Sequence, residues 1–145
     1  MNTTLTLPDP KQARAYFEAK LAFTLGPYEL DRRMRENQDL VIVDVRPEDD
    51  YVRGHIHGAI HLPQEKWSQP EGLQADRLHV VYCYDQFCQL AAMAARELAG
   101  QGFPVMELAG GFKAWKESEL EVDRPGLNRL LGRKMFQDWP MPMFP

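Results

Sequence analysis

Cys83 is the residue of this sequence best placed to act as a nucleophile. It ends the apolar run Leu78-His79-Val80-Val81-Tyr82-Cys83, and only Tyr84, Asp85, Gln86, Phe87 and Cys88 separate it from a helical stripe that opens at Gln89. A thiol between the end of a buried strand and the start of a helix meets loop N–H groups and the positive end of the helix dipole. Both favour thiolate over thiol, and the same N–H groups form a cradle for an anion. The alternative for Cys83 is a small buried apolar residue that merely closes its strand. His55, His57 and His61 are spaced closely enough to ligate a metal. They lack a cysteine or carboxylate at ligand spacing, so no metal is expected.

The elements that must hold Cys83 follow from periodicity. Leu40 to Val45 and Leu78 to Cys83 are continuous, β-branched and apolar, as strands buried on both faces are. Shorter strand-like runs are Ala59 to Leu62 and Val105 to Leu108. Between the Cys83 strand and the Val105 strand, Leu90, Met93, Ala94 and Leu98 trace one face of a helix closed by Gly100, which makes a βαβ unit. Further helices are expected from Asp9 and Pro10 to Gly26, over 27–37, over 111–118 with Phe112 and Trp115, and over 125–136. The segment from Trp139 to Pro145 is too rich in proline for either helix or central strand. Strands alternating with helices argue for one α/β domain with a mostly parallel sheet.

Composition narrows the functions. The chain of 145 residues is 44% hydrophobic and 26% charged, which fits one domain with one core at the usual 100–200 residues or so per domain. A net charge of −4 gives no footprint for a nucleic-acid backbone. No run approaches the roughly 20 apolar residues that span a bilayer, and the N-terminus lacks the layout of a signal peptide. A cytoplasmic protein with no membrane and no nucleic-acid partner is therefore expected. Two cysteines do not make a disulfide framework.

Three motifs then resemble one family. Val41-Ile42-Val43-Asp44-Val45-Arg46, with Asp50-Tyr51 and the stretch from Gly54 to Pro63, is similar to the entry motif of the rhodanese family. Val80 to Cys83 looks like its active-site strand and nucleophile, and Leu108-Ala109-Gly110-Gly111-Phe112 with Trp115 is similar to its closing motif. The resemblance covers about residues 27 to 118, leaving an N-terminal arm at 1–26 and a C-terminal arm at 119–145. It implies a five-stranded, mostly parallel sheet flanked by helices, to which the arms add an N-terminal helix and a C-terminal helix. It also implies a sulfurtransferase whose cysteine carries sulfane sulfur as a persulfide, with no cofactor or metal.

That chemistry suits these residues. A thiolate attacks the outer sulfur of the donor, and the loop N–H groups of residues 84 to 88 stabilise the thiolate and the persulfide anion alike. The phosphatases of the family carry a longer loop and an arginine six residues after the cysteine; here that position is Gln89, and no arginine replaces the clamp. The loop has no cation and one anion, Asp85, which disfavours thiosulfate as donor. Tyr84 and Phe87 suit a polysulfide, a small organic persulfide or a protein persulfide. Among the supporting residues, Asp44 is expected to hold loop N–H groups and Arg46 to pair with Asp50. Gly110 and Gly111 are expected to let the backbone pass close to the loop, with Trp115 packing near it. Cys88 has two readings: a small residue at the helix start, or a thiol that resolves the Cys83 persulfide to a disulfide. The competing functions are a redox switch using Cys83 and Cys88, and a non-catalytic binding module. The apolar arms are expected to pack on the chain's own domain, on a second copy in a homodimer, or on a sulfur donor or acceptor protein.

Overall fold

The computed structural model describes residues 5–36 and 39–126. The Trp139 to Pro145 tail, and the helix expected over 125–136 except for its first two residues, lie outside them. In chain order the elements are α1 (Pro10–Phe23), β1 (Thr24–Leu25), α2 (Pro27–Arg35), β2 (Leu40–Asp44), α3 (Glu48–Arg53), β3 (His55–Ile56) and β4 (Ile60–His61), then β5 (Leu78–Tyr82), α4 (Leu90–Gly100), β6 (Val105–Leu108), α5 (Gly111–Glu117) and β7 (Val122–Asp123). Five strands form one sheet in the order β1-β6-β5-β2-β4, every neighbouring pair parallel. A second, two-stranded antiparallel sheet joins β3 to β7.

The sheet is doubly covered, which explains its unbroken apolar strands. Alternate residues point to opposite faces. Ile42, Val80 and Tyr82 pack with Leu30 of α2 and with Phe112 and Trp115 of α5. Val41, Val43, Val81 and Cys83 pack with Ala91, Ala94 and Leu98 of α4. The small residues of α4 let that helix lie close to the sheet, and β5, central in the strand order, carries Cys83 out at its C-terminal end. In such sheets that end is where ligands bind.

Local chemistry sets the boundaries. Asp9 caps α1 through the Lys11 N–H (3.4 Å), with Pro10 in the first turn. Yet α1 buries no residue, and Tyr16, Phe17, Leu21 and Phe23 are each more than half exposed. The apolar side chains of α1 are thus not used by the core, whereas Leu25 of β1, also in this arm, is 3% exposed and packs within it. No helix among the described residues is long and apolar enough to cross a membrane.

His79, fully buried on β5, ties stability to pH. Its Nε2 accepts from the Gln74 N–H (3.2 Å), so its Nδ1 is the protonated nitrogen and donates to the Pro104 carbonyl (2.9 Å). A second proton would set N–H against N–H. Burial draws the imidazole below its ordinary value, against the pull of the Pro104 carbonyl and with help from Arg77. The unfolded chain thus binds this proton more readily. The stability His79 contributes is complete above about pH 6.5 and is lost as pH falls through the lower folded value. Urea midpoints at about pH 7 and pH 5 should therefore fall further for the wild type than for His79→Gln. Equal falls would remove His79 as the cause. His57 works in the opposite direction, its pKa raised chiefly by the Asp123 hydrogen bond, but it is half exposed and present in both proteins.

Candidate active site

The loop after Cys83 is held from both ends. At its start, the first N–H groups of α5 donate into it: Phe112 to the Cys83 carbonyl and Lys113 to the Tyr84 carbonyl, both at 2.9 Å. The carbonyl and N–H of a trans peptide point in opposite directions, so these bonds turn the N–H groups of Tyr84 and Asp85 away from α5. Gly111 makes the approach feasible. It lies at φ +60°, and a Cβ there would sit 2.8 Å from the Cys83 carbonyl oxygen and 2.9 Å from the Asp85 nitrogen. Gly110 has a different task, since a Cβ on it would strike Ala114 one turn along α5 rather than the loop.

At its far end the loop is held by Asp85. Its Oδ1 accepts from the N–H groups of Phe87 (2.9 Å) and Cys88 (3.1 Å), a side-chain turn of the kind short acidic residues favour. This alters the expected cradle. Two of the N–H groups anticipated for the sulfur anion are already taken by a carboxylate turned into the loop. Cys83 itself is only 1% exposed, and its sulfur is joined in a disulfide to that of Cys88, with the Cα atoms 6.4 Å apart. Tyr84 lies open on the rim with its hydroxyl bonded to Asp50, which pushes its pKa up to about 12; Gln86 and Phe87 are exposed, Phe87 at 81%.

Beneath the loop lies a buried ionic cluster. Arg46 pairs with Asp44, not with Asp50. Its Nη2 reaches Asp44 Oδ2 at 2.7 Å and its Nε reaches Oδ1 at 3.1 Å, while its backbone N–H also donates to Oδ1 (2.9 Å). Arg46 lies before α3, which begins at Glu48, so it does not share a helical face with Asp50. Arg46 is instead folded back over the end of β2, 4.1 Å from the centre of the Phe112 ring, with its Nη2 also donating to the Gly54 carbonyl (2.6 Å). Tyr82 completes the cluster by donating to Asp44 Oδ2 (2.6 Å) and accepting from the Ile56 N–H (3.1 Å). Burial and the Asp44 carboxylate raise the phenol far above its ordinary value, so it stays a donor. Sequence reading did not single out Tyr82. The available signal was a tyrosine inside a continuously buried strand, whose hydroxyl must find a partner.

Trp115 does not flank the Cys83 side chain. It is fully buried in the opposite layer, donating to the Glu121 carbonyl (2.9 Å), and bears on the loop only by anchoring α5. The three histidines do not meet at one point: His55 Nε2 and His57 Nδ1 both face Asp123, at 3.7 and 2.9 Å, and His61 turns to the Arg46 carbonyl (2.7 Å). His55 also bonds the Tyr51 carbonyl (2.8 Å), and its ring and that of His61 stack on Tyr51. His57 stands with Glu121 and Asp123. There Asp123 accepts from His57 Nδ1 and from the Gly58 N–H, both at 2.9 Å, an arrangement that closes the turn between β3 and β4 onto β7.

A family model described as Rhodanese-like domain matches residues 26–118. The HTH-type transcriptional regulator Rv0324 of Mycobacterium tuberculosis is 38% identical over 92 residues, 63% of this chain and 41% of that protein, so the chain spans less than half of its length. The thiosulfate sulfurtransferase GlpE of Coxiella burnetii is 37% identical over 83 residues, 56% of this chain and 76% of the relative. Among solved structures, the BH2092 protein from Bacillus halodurans is similar with a TM-score of 0.71 at 28% identity, covering 92% of this chain and 96% of that one. The rhodanese-like domain of Alr3790 from Anabaena sp. follows at 0.65 and 28%, covering 74% and 83%. The family match runs over well more than half the chain and takes in Asp44, Arg46, Cys83, its loop and Gly111: the chain belongs to the rhodanese-like domain family.

Proposed function

We propose that this protein is a sulfurtransferase that accepts sulfane sulfur as a persulfide on Cys83 and passes it to a thiol or another nucleophile. The observation that carries the reading is the seat of Cys83: the C-terminal end of the central strand, in a loop whose main chain is clamped by α5. Relatives named as sulfurtransferases, 37% and 36% identical over 83 and 78 residues, support it. With the disulfide reduced, the Cys83 thiolate attacks the outer sulfur of a persulfide donor. A new S–S bond forms, the donor's S–S bond breaks, and the donor thiolate departs. The N–H groups of Tyr84 and Asp85 supply dipoles for the charge on sulfur. An acceptor thiolate then takes the outer sulfur and Cys83 leaves as thiolate.

Donor choice follows from Asp85. A dianion such as thiosulfate meets a carboxylate turned into the loop and no cation between Tyr84 and Cys88, whereas an organic persulfide carries less charge and gains contact with exposed Phe87. The test uses reduced wild type and Cys83→Ser with glutathione persulfide, polysulfide and thiosulfate in turn, reading intact mass and the thiol freed from the donor. Wild type should consume the persulfide and polysulfide at least about tenfold faster than thiosulfate, and Cys83→Ser should consume none above background. Equal donor consumption by the two proteins would overturn the reading.

A further inference from the structure

We propose that Cys88 is the resolving thiol of this site: it attacks the Cys83 persulfide, releases the carried sulfur as hydrosulfide, and leaves the Cys83–Cys88 disulfide. This rests on the reading of Cys83 as a persulfide carrier and adds an activity to it, the reduction of sulfane sulfur at the expense of external thiols.

Two independent sets of bonds hold the cysteines together, and neither involves sulfur. Cys83 is fixed by the α5 N–H of Phe112 at its carbonyl. The Cys88 backbone is fixed by its N–H, which donates to Asp85 Oδ1 (3.1 Å) and also lies 3.3 Å from the Asp85 carbonyl. The Cα separation of 6.4 Å lies in the range that disulfides span. Because these clamps remain when the S–S bond is cut, the reduced loop presents the Cys88 sulfur to Cys83 already oriented, the arrangement in which an intramolecular attack outruns an external one. Access points the same way. Cys83 is 1% exposed, so an outside thiol must reach a sheltered sulfur, while Cys88 already touches it and is itself only half buried.

The loop's electrostatics favour the same end. The Asp85 carboxylate occupies two N–H groups that would otherwise steady a persulfide anion, and no cation lies between Tyr84 and Cys88. A neutral disulfide needs neither. The Cys88 sulfur attacks Cys83 Sγ, forming the Cys83–Cys88 bond and breaking the bond to the outer sulfur. The electron pair leaves with that sulfur, which takes the Cys88 thiol proton and departs as hydrosulfide. The two cysteine sulfurs are oxidised together by two electrons, and the zero-valent sulfur is reduced to sulfide. Reset requires two equivalents of an external thiol: the first attacks the more accessible Cys88 sulfur and expels the Cys83 thiolate, and the second frees Cys88 from the mixed disulfide.

The test gives reduced wild type, Cys88→Ser and Cys83→Ser one equivalent of glutathione persulfide, and follows intact mass and free sulfide in time. Wild type should pass through a form one sulfur heavier to one lighter by two hydrogens, with about one sulfide per chain, a result that needs no variant. In Cys88→Ser the persulfide should persist at least about tenfold longer, with sulfide release reduced to match. Persulfides equally long-lived in wild type and Cys88→Ser would overturn the resolving role while leaving the carrier intact. No sulfur on either protein, with Cys83→Ser identical, would overturn the carrier and the inference together.

Discussion

Replacing Gly111 by alanine is expected to displace the Cys83 loop and to slow sulfur uptake by about a hundredfold, the scale that follows from misplacing a reacting group by about 1 Å. The added carbon would lie 2.8 Å from the Cys83 carbonyl oxygen and 2.9 Å from both the Asp85 nitrogen and the Tyr84 carbonyl carbon. All three are backbone atoms, so no side chain can swing away to make room. Relief requires α5 and the loop to part, and that breaks the hydrogen bonds from Phe112 and Lys113. Gly58 provides the control. It also has a positive φ, of +78°, but a Cβ there meets nothing within 4 Å. Gly58→Ala should therefore cost only the conformational penalty, about 1–2 kcal/mol, with uptake unchanged. Gly111→Ala should cost about 2–4 kcal/mol, by addition of a backbone clash, and lose uptake as well. Urea unfolding and donor consumption measured on both variants decide it. If the two behave alike, the loop does not depend on its contact with α5.

That contact was only half legible in the sequence. A pair of glycines before an aromatic helix signals a close approach, but which glycine touches the loop depends on the turn geometry, and only Gly111 does. The long strands and α4 were readable because burial on both faces leaves an unbroken apolar run and a clear stripe. The strands β1, β3 and β7 were not. Each has two residues, too few to show a period, and β3 pairs with β7 across 66 residues or so of sequence. α3 escaped notice because Glu48, Asp49 and Asp50 open it and no apolar stripe marks it. Position along the chain also misdirected the ion pairs. Arg46 has Asp44 and Asp50 at equally plausible spacing, and only the end of β2, buried under Phe112, selects Asp44. Likewise His57 finds its carboxylate on β7, where no local spacing rule reaches. Asp85 is different, because an aspartate followed by two free loop amides is a recognisable local turn. Its hold on the Phe87 and Cys88 N–H groups could therefore have been foreseen.

Asp44→Asn is expected to destabilise the fold by about 3–5 kcal/mol, the cost of leaving a buried charge without its partner. Asp44 is fully buried and accepts from the Arg46 backbone N–H, from the Arg46 guanidinium and from the Tyr82 hydroxyl. Asparagine keeps the shape but removes the charge, and its amide group turns a donor toward donors. Arg46 cannot answer by losing its proton, since guanidinium stays charged in proteins. It also cannot leave without giving up the Gly54 carbonyl and the face of Phe112. Tyr82→Phe is the milder comparison. It removes one hydroxyl, leaves the ion pair intact, and should cost about 1–2 kcal/mol. A double-mutant cycle over Asp44→Ala and Arg46→Ala separates the penalty of the orphaned charge from the worth of the pair. The double variant should be less destabilised than the two singles added, because neither charge is then stranded. Strict additivity would mean that the two groups do not see each other across 2.7 Å, and would remove the cluster as the support of the loop. The effect should reach the site as well. Tyr82 sits one residue before Cys83, and its hydroxyl fixes the end of β5 to the end of β2 through the same carboxylate. Urea midpoints and donor consumption should therefore fall together in Asp44→Asn, and both should fall only slightly in Tyr82→Phe.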